Sequence, residues 1–144
     1  MRAPYILLVE DDPDDLLLTR RVYQQSGCSQ ELVVVENGEA ALAMLLPPSA
    51  APPPAPDLVM LDLRLPRIEG AEVLRRLRAE APMRSVPIVI LTSSREERDV
   101  TQCYALGANS YLYKPVEFSA YRDMLMRLWN YWLSLNVTAQ RAWP

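Results

Sequence analysis

A chain of 144 residues, half of them apolar and 23% charged, fits one globular domain with a real core and is unlike a disordered or low-complexity segment. A net charge of −3 excludes the basic footprint of a nucleic-acid binder, and no apolar run is long enough for a signal peptide or a membrane span. Without histidine the chain has no Ser-His or Cys-His catalysis and no histidine phosphorylation, and its two distant cysteines, Cys28 and Cys103, read as reduced thiols of a cytoplasmic protein.

In chain order, residues 5–9 form the first of five short apolar runs, and the acids Glu10, Asp11 and Asp12 follow it directly. Asp12-Pro13-Asp14-Asp15 then reads as an N-cap, a proline at the first helical position and acids in the positive first turn. That helix is expected to run to Ser26 and to stop at Gly27. A second run at 32–35 precedes a helix near 38–46. Six prolines between Pro47 and Pro56 then give a stiff surface insertion that cannot be helical. The third run, 58–61, ends at Asp62, and a helix is expected near 69–80. The fourth, 88–91, ends at Thr92 before a helix at 95–106 that Gly107 closes. The fifth, 111–113, ends at Lys114, the one lysine among fifteen basic residues. A last helix covers 117 to 136 or beyond.

Continuous apolar runs alternating with helix-length segments imply right-handed βαβ units. The expected fold is α/β: a doubly wound, five-stranded parallel sheet with helices on both faces. One domain fills 1–144, with a core at about 4–133, the proline-rich insertion at 47–56 and an extended C-terminal helix and tail at 117–144.

In such sheets ligands bind at the carboxyl ends of the strands. Asp11, Asp12, Asp62, Thr92 and Lys114 all fall there, and only this topology brings them together. Each has a plainer reading alone: Asp12 as an N-cap, Thr92 as a cap of the fourth helix. Clustered carboxylates call for a cation, and an oxygen-only, partly hydrated site favours Mg²⁺ or Mn²⁺ over zinc. A threonine hydroxyl and a compact ammonium suit the remaining oxygens of a phosphoryl group. The chemistry implied is phosphoryl transfer to an aspartate.

Glu10-Asp11-Asp12, Leu61-Asp62-Leu63-Arg64-Leu65-Pro66, Leu91-Thr92-Ser93 and Gly107-Ala108-Asn109-Ser110-Tyr111-Leu112-Tyr113-Lys114-Pro115 together resemble the receiver domain of two-component response regulators. The resemblance implies a flavodoxin-like sheet of order 2-1-3-4-5, with Asp62 as phosphoacceptor. It implies Asp11, Asp12, Asp62 and the backbone carbonyl of Arg64 as Mg²⁺ ligands. Thr92 would hold the phosphoryl group, Lys114 would pair with it before a cis Pro115, and Tyr111 would be the rotating switch aromatic. Ile68-Glu69-Gly70 departs from the family's common Asp-Gly, with Gly70 still supplying backbone freedom. Arg64 is expected to alter the lifetime of the phospho-aspartate by contacting the phosphoryl group or Glu10.

Output is then expected to come from protein contact or from passage of the phosphoryl group to another carrier, since no effector module is seen after the last helix: a stand-alone receiver is expected. Phe118, Tyr121, Leu125, Leu128, Trp132 and Leu135 form a stripe suited to covering the sheet. The surplus apolar surface suggests a symmetric homodimer through this helix and the fifth strand, with Met124, Leu128, Trp129 and Trp132 at the interface. The opening 6–13, Lys114-Pro115-Val116 and Trp132-Leu133 resemble the response regulators paired with bacterial phytochromes, which implies a light-sensing histidine kinase or phosphatase as partner. Two other classes compete. A pseudo-receiver binding module usually lacks an acid, Thr or Lys, and none is lost. A Mg²⁺-dependent phosphatase resembling the haloacid dehalogenases needs a general acid two residues after its nucleophile, where this chain has Arg64.

Overall fold

A computed structural model describes residues 4–48 and 54–139. Five parallel strands, β1 (Tyr5–Val9), β2 (Glu31–Val35), β3 (Leu58–Leu61), β4 (Ile88–Thr92) and β5 (Ser110–Tyr113), lie in the order β2-β1-β3-β4-β5. Between them run α1 (Pro13–Ser26), α2 (Gly38–Leu45), α3 (Gly70–Ala79) and α4 (Glu97–Ala105), and α5 (Phe118–Asn130) follows β5. This is the expected flavodoxin-like fold. The proline-rich insertion is described only at its two ends, and residues 49–53 lie outside the described residues.

Strand periodicity divides the core. Leu7, Val9, Val59, Leu61, Ile88 and Ile90 face Ala41, Leu42, Val73, Leu74, Leu77 and Cys103 on α2, α3 and α4. Ile6, Leu8, Leu58, Met60, Val89 and Leu91 face Leu16 and Val22 of α1 and Tyr121, Leu125, Leu128 and Trp129 of α5. Hence β1, β3 and β4 are buried on both faces, as their unbroken apolar sequences require. The edge strands β2 and β5 are only partly covered.

The end of the last helix corrects two expectations. Trp129 and Leu133 turn inwards, whereas Phe118 and Leu135, assigned to the inner stripe, are 41% and 65% exposed. The indole of Trp129 decides the face: its Nε1 donates to Met60 Sδ at 3.2 Å, and its ring meets Tyr23 edge-on at 6.2 Å. So large a side chain gains most where α1 and β3 converge. A π-helical turn, Tyr131–Leu135, then closes the helix through Asn136 N–H donating to Tyr131 O. The Lys114–Pro115 peptide, expected cis, is trans, like every described peptide bond.

At the amino-terminal edge of β4 and β5, the half-buried Arg78 binds only neutral acceptors among the described residues. Its Nε donates to Gly107 O at 2.9 Å, Nη1 to Met83 O at 2.6 Å and Val86 O at 2.8 Å, and Nη2 to Asn109 Oδ1 at 2.8 Å. Asn109 Oδ1 also accepts from Ile88 N–H at 2.8 Å. One side chain thus ties the end of α3, the turn before β4 and the α4–β5 loop.

Candidate functional site

Main-chain ladders carry on past the strand ends and fix the site residues. Glu10 N–H donates to Val35 O at 3.1 Å, Asp62 N–H to Val9 O at 3.1 Å and Lys114 N–H to Thr92 O at 2.8 Å. The result is an open cavity of about 410 Å³ lined by Asp11, Asp12, Asp15, Asp62, Arg64, Thr92 and Lys114, among others. All five residues expected at this edge therefore line one cavity. Gly70 matters there for a reason other than backbone freedom. Its φ is not positive, but a Cβ would lie 2.1 Å from Asp62 O and 2.8 Å from Leu63 Cα. Any larger residue would displace the main chain that carries Asp62.

The side chain of Lys114 is only 7% exposed, and its Nζ bonds three carboxylates: Glu10, Asp15 at 2.7 Å and Asp62 at 2.9 Å. Burial alone would depress its pKa. The bonds to Asp15 and Glu10 and the charge of Asp62 outweigh that and hold it above the ordinary lysine range. Glu10 shows the opposite imbalance. Burial, then the charge of Asp62, pushes its carboxyl up to about 7 even though Lys114 opposes the shift. One ammonium is too little positive charge for this cluster.

Glu10, Asp11 and Asp62 each present a carboxylate oxygen within 4.8 Å of the others, a donor set that fits a small divalent ion. Asp12, expected among the ligands, sits differently. Its Oδ1 accepts from Asp14 N–H at 2.8 Å and Asp15 N–H at 3.2 Å, which makes it the N-cap of α1. Glu10 takes its place in the cluster, because β1's ladder runs one residue beyond Val9 and carries Glu10 inwards, where it is 2% exposed. Sequence reading missed Glu10 and Asp15 as partners of Lys114. The signal for Glu10 was its place directly behind a fully buried strand; nothing marked Asp15 apart from Asp14.

Arg64 does not contact Glu10. Its Nη2 donates to Asp99 Oδ2 at 2.5 Å, and its Nη1 lies 4.0 Å from Glu69 Oε1. Ser94 Oγ donates to the same Asp99 Oδ2 at 2.5 Å. Tyr111 is half-buried, and its hydroxyl donates to Ser94 O at 2.9 Å. Thr92 is fully buried, with Oγ1 accepting a long bond of 3.4 Å from Ser94 N–H. The Arg64–Asp99–Ser94 link between the cavity mouth and α4 had no sequence signal, since Asp99 reads as an ordinary first-turn acid.

Comparison with known proteins gives the same picture. Residues 6–126 match the response regulator receiver domain. The chain belongs to that family. The response regulator Rcp1 of Synechocystis is 36% identical over 78 residues, or 54% of this chain and 53% of Rcp1. A probable methanogenesis regulatory protein, FilR2 of Methanothrix harundinacea, is 38% identical over 81 residues, 56% of this chain and 52% of FilR2. The alignments thus span about half the length of these curated relatives. Solved structures match further. The Mn²⁺-bound form of Rcp1 superposes with a TM-score of 0.86 at 34% identity, covering 94% of this chain and 98% of Rcp1. The phosphorylated cyanobacterial phytochrome response regulator RcpA gives 0.85 at 30% identity, covering 96% and 99%. This receiver is therefore homologous to phytochrome response regulators. No described helix is long and apolar enough to cross a membrane.

Proposed function

We propose that the protein is a cytoplasmic response regulator that takes a phosphoryl group onto Asp62 from a sensor histidine kinase, in the likeness of RcpA a phytochrome. A carboxylate oxygen of Asp62 attacks phosphorus, the phosphorus–nitrogen bond of the donor phosphohistidine breaks, and the imidazole leaves. The observation that carries this reading is the convergence of Asp62 with Asp11 and Lys114 at one cavity, with the buried Glu10 carboxylate beside them.

Glu10, Asp11, Asp62 and the Arg64 backbone carbonyl would hold Mg²⁺ or Mn²⁺, which supplies charge neutralisation for the incoming phosphoryl oxygens. Lys114 loses its bond to the free Asp62 carboxylate and meets a phosphoryl oxygen instead. The Thr92 hydroxyl holds another, and its movement draws on Ser94 and hence on Tyr111, the switch aromatic. The chain promotes its own phosphorylation and loss of phosphate and turns over no other substrate. With Mg²⁺, acetyl phosphate should label the protein once, and Asp62→Asn should abolish the label. Repeated turnover of a phosphoester would favour a phosphatase, and absence of label a pseudo-receiver. Mg²⁺ at ten times its dissociation constant should raise stability by about 1.4 kcal/mol, measured by urea unfolding.

The output surface is proposed to be a symmetric homodimer through α5 and β5. A groove of about 970 Å³ lies there, lined by Leu112, Met124, Leu128, Tyr131, Trp132 and Leu135, among others. Of the four interface residues expected from sequence, Met124 and Trp132 remain available at the half-buried level. Leu128 and Trp129 belong to the core at 5% and 3% exposure. Trp132→Ala should then weaken self-association, read by sedimentation with and without acetyl phosphate. A monomer throughout would end this reading.

A further inference from the structure

We propose that Asp99 is a positioning residue that holds the Arg64 guanidinium away from Asp62 and so sets the lifetime of the aspartyl phosphate. The inference rests on Asp62 being the phosphoacceptor. Arg64 stands two residues from Asp62, and its own N–H donates to Asp62 Oδ1 at 3.3 Å. Arg64 lines both the site cavity and a second cavity of about 660 Å³ beside α4, shared with Glu69, Arg98, Asp99 and Gln102. The guanidinium lies on the α4 side of this wall, clamped to Asp99.

Asp99 is well placed to win that contest. It is 8% exposed, and its Oδ2 collects both Arg64 Nη2 and Ser94 Oγ at 2.5 Å. Departure of Arg64 would leave a buried carboxylate with a single hydroxyl donor, a costly state. Arg64 itself has a half-exposed side chain, which leaves it room to turn once the bond to Asp99 is lost. The other partner, Glu69, is 4.0 Å away and mostly exposed, too weak to hold it.

Hydrolysis of the aspartyl phosphate needs water to approach phosphorus opposite the bond to Asp62. The water oxygen joins phosphorus, the bond to the Asp62 oxygen breaks, and inorganic phosphate leaves with the carboxylate restored. With Arg64 held on Asp99 that approach stays open. A released guanidinium would fold onto the dianionic phosphoryl oxygens as a bidentate donor and screen them from water.

The test is the decay of acetyl-phosphate-derived label at saturating Mg²⁺ after removal of the donor. Asp99→Asn, nearly the same shape and still able to accept from Ser94, should lengthen the half-life at least threefold. Arg64→Ala and the double variant Arg64→Ala/Asp99→Asn should decay alike, because Asp99 acts only through Arg64. Glu69→Gln should stay within twofold of the parent. If Asp99→Asn fails to fold, Asp99→Ser serves, with the same expectation. An unchanged or shortened half-life, or a lengthening that persists without Arg64, overturns the inference. Absence of label in the parent protein would instead sink the phosphoacceptor reading.

Discussion

Two half-buried or buried cations mark the opposite edges of this sheet, and their surroundings differ in kind. Arg78, at the amino-terminal edge of β4 and β5, meets three main-chain carbonyls and one side-chain amide. Lys114, at the carboxyl edge, meets three carboxylates. Around Arg78 the acceptors are neutral dipoles, three of them carried by main chain and the fourth pinned by Ile88 N–H, so nothing there is left in need of a further cation. Around Lys114 the acceptors are charges in excess, and Glu10 is left with a carboxyl pushed up to about 7 by burial and by Asp62. Such a cluster relaxes whenever a cation arrives or a charge is moved, which is what a signalling site needs.

Exchanging the two residue types tests this contrast most directly. Lys114→Arg should fold and bind Mg²⁺ within about threefold of the parent, because a planar fork can still satisfy some carboxylates but cannot present a point charge to one phosphoryl oxygen. Its phosphorylation-dependent change in tyrosine and tryptophan fluorescence should fall at least tenfold. A full response in that variant would break the distinction. Arg78→Lys should spare phosphorylation but cost about 2–3 kcal/mol in urea unfolding, since an ammonium leaves some of the four acceptors unpaired.

A smaller effect sharpens the comparison from the side of Tyr121, whose hydroxyl lies 3.3 Å from Thr19 Oγ1. Burial chiefly, with a smaller push from Asp15 and Glu10, raises its phenol to about 12. The folded state therefore keeps this proton where the unfolded chain loses it. Stability falls as pH rises from about 10 to 12, by roughly 1–2 kcal/mol from this group. Tyr121→Phe should flatten that part of the stability profile, measured by denaturant unfolding between pH 9 and 12.

Sequence carried the frame well because its signals are local. Continuous apolar runs define β1, β3 and β4, Asp12-Pro13 begins α1, and Gly27 and Gly107 have the left-handed φ values of 70° and 104° expected of residues that close helices. The site followed from the topology, since strand ends converge whatever the side chains do. What stayed hidden depends on direction and distance. Whether Glu10 or Asp12 turns inwards depends on one more rung of β1's ladder. Whether Trp129 or Trp132 faces the sheet depends on the space between α1 and β3, which no spacing in α5 reveals. Arg64 pairs with Asp99 across 35 residues, a match that only the approach of α4 to the β3–α3 loop creates.

Lys114 is the single lysine of this sequence, so amine-directed chemistry finds one side-chain address here. Three carboxylates keep it protonated and its side chain is only 7% exposed, so an activated ester at neutral pH should leave it unlabelled. A label appearing on Lys114 would report that the carboxylate cage has opened.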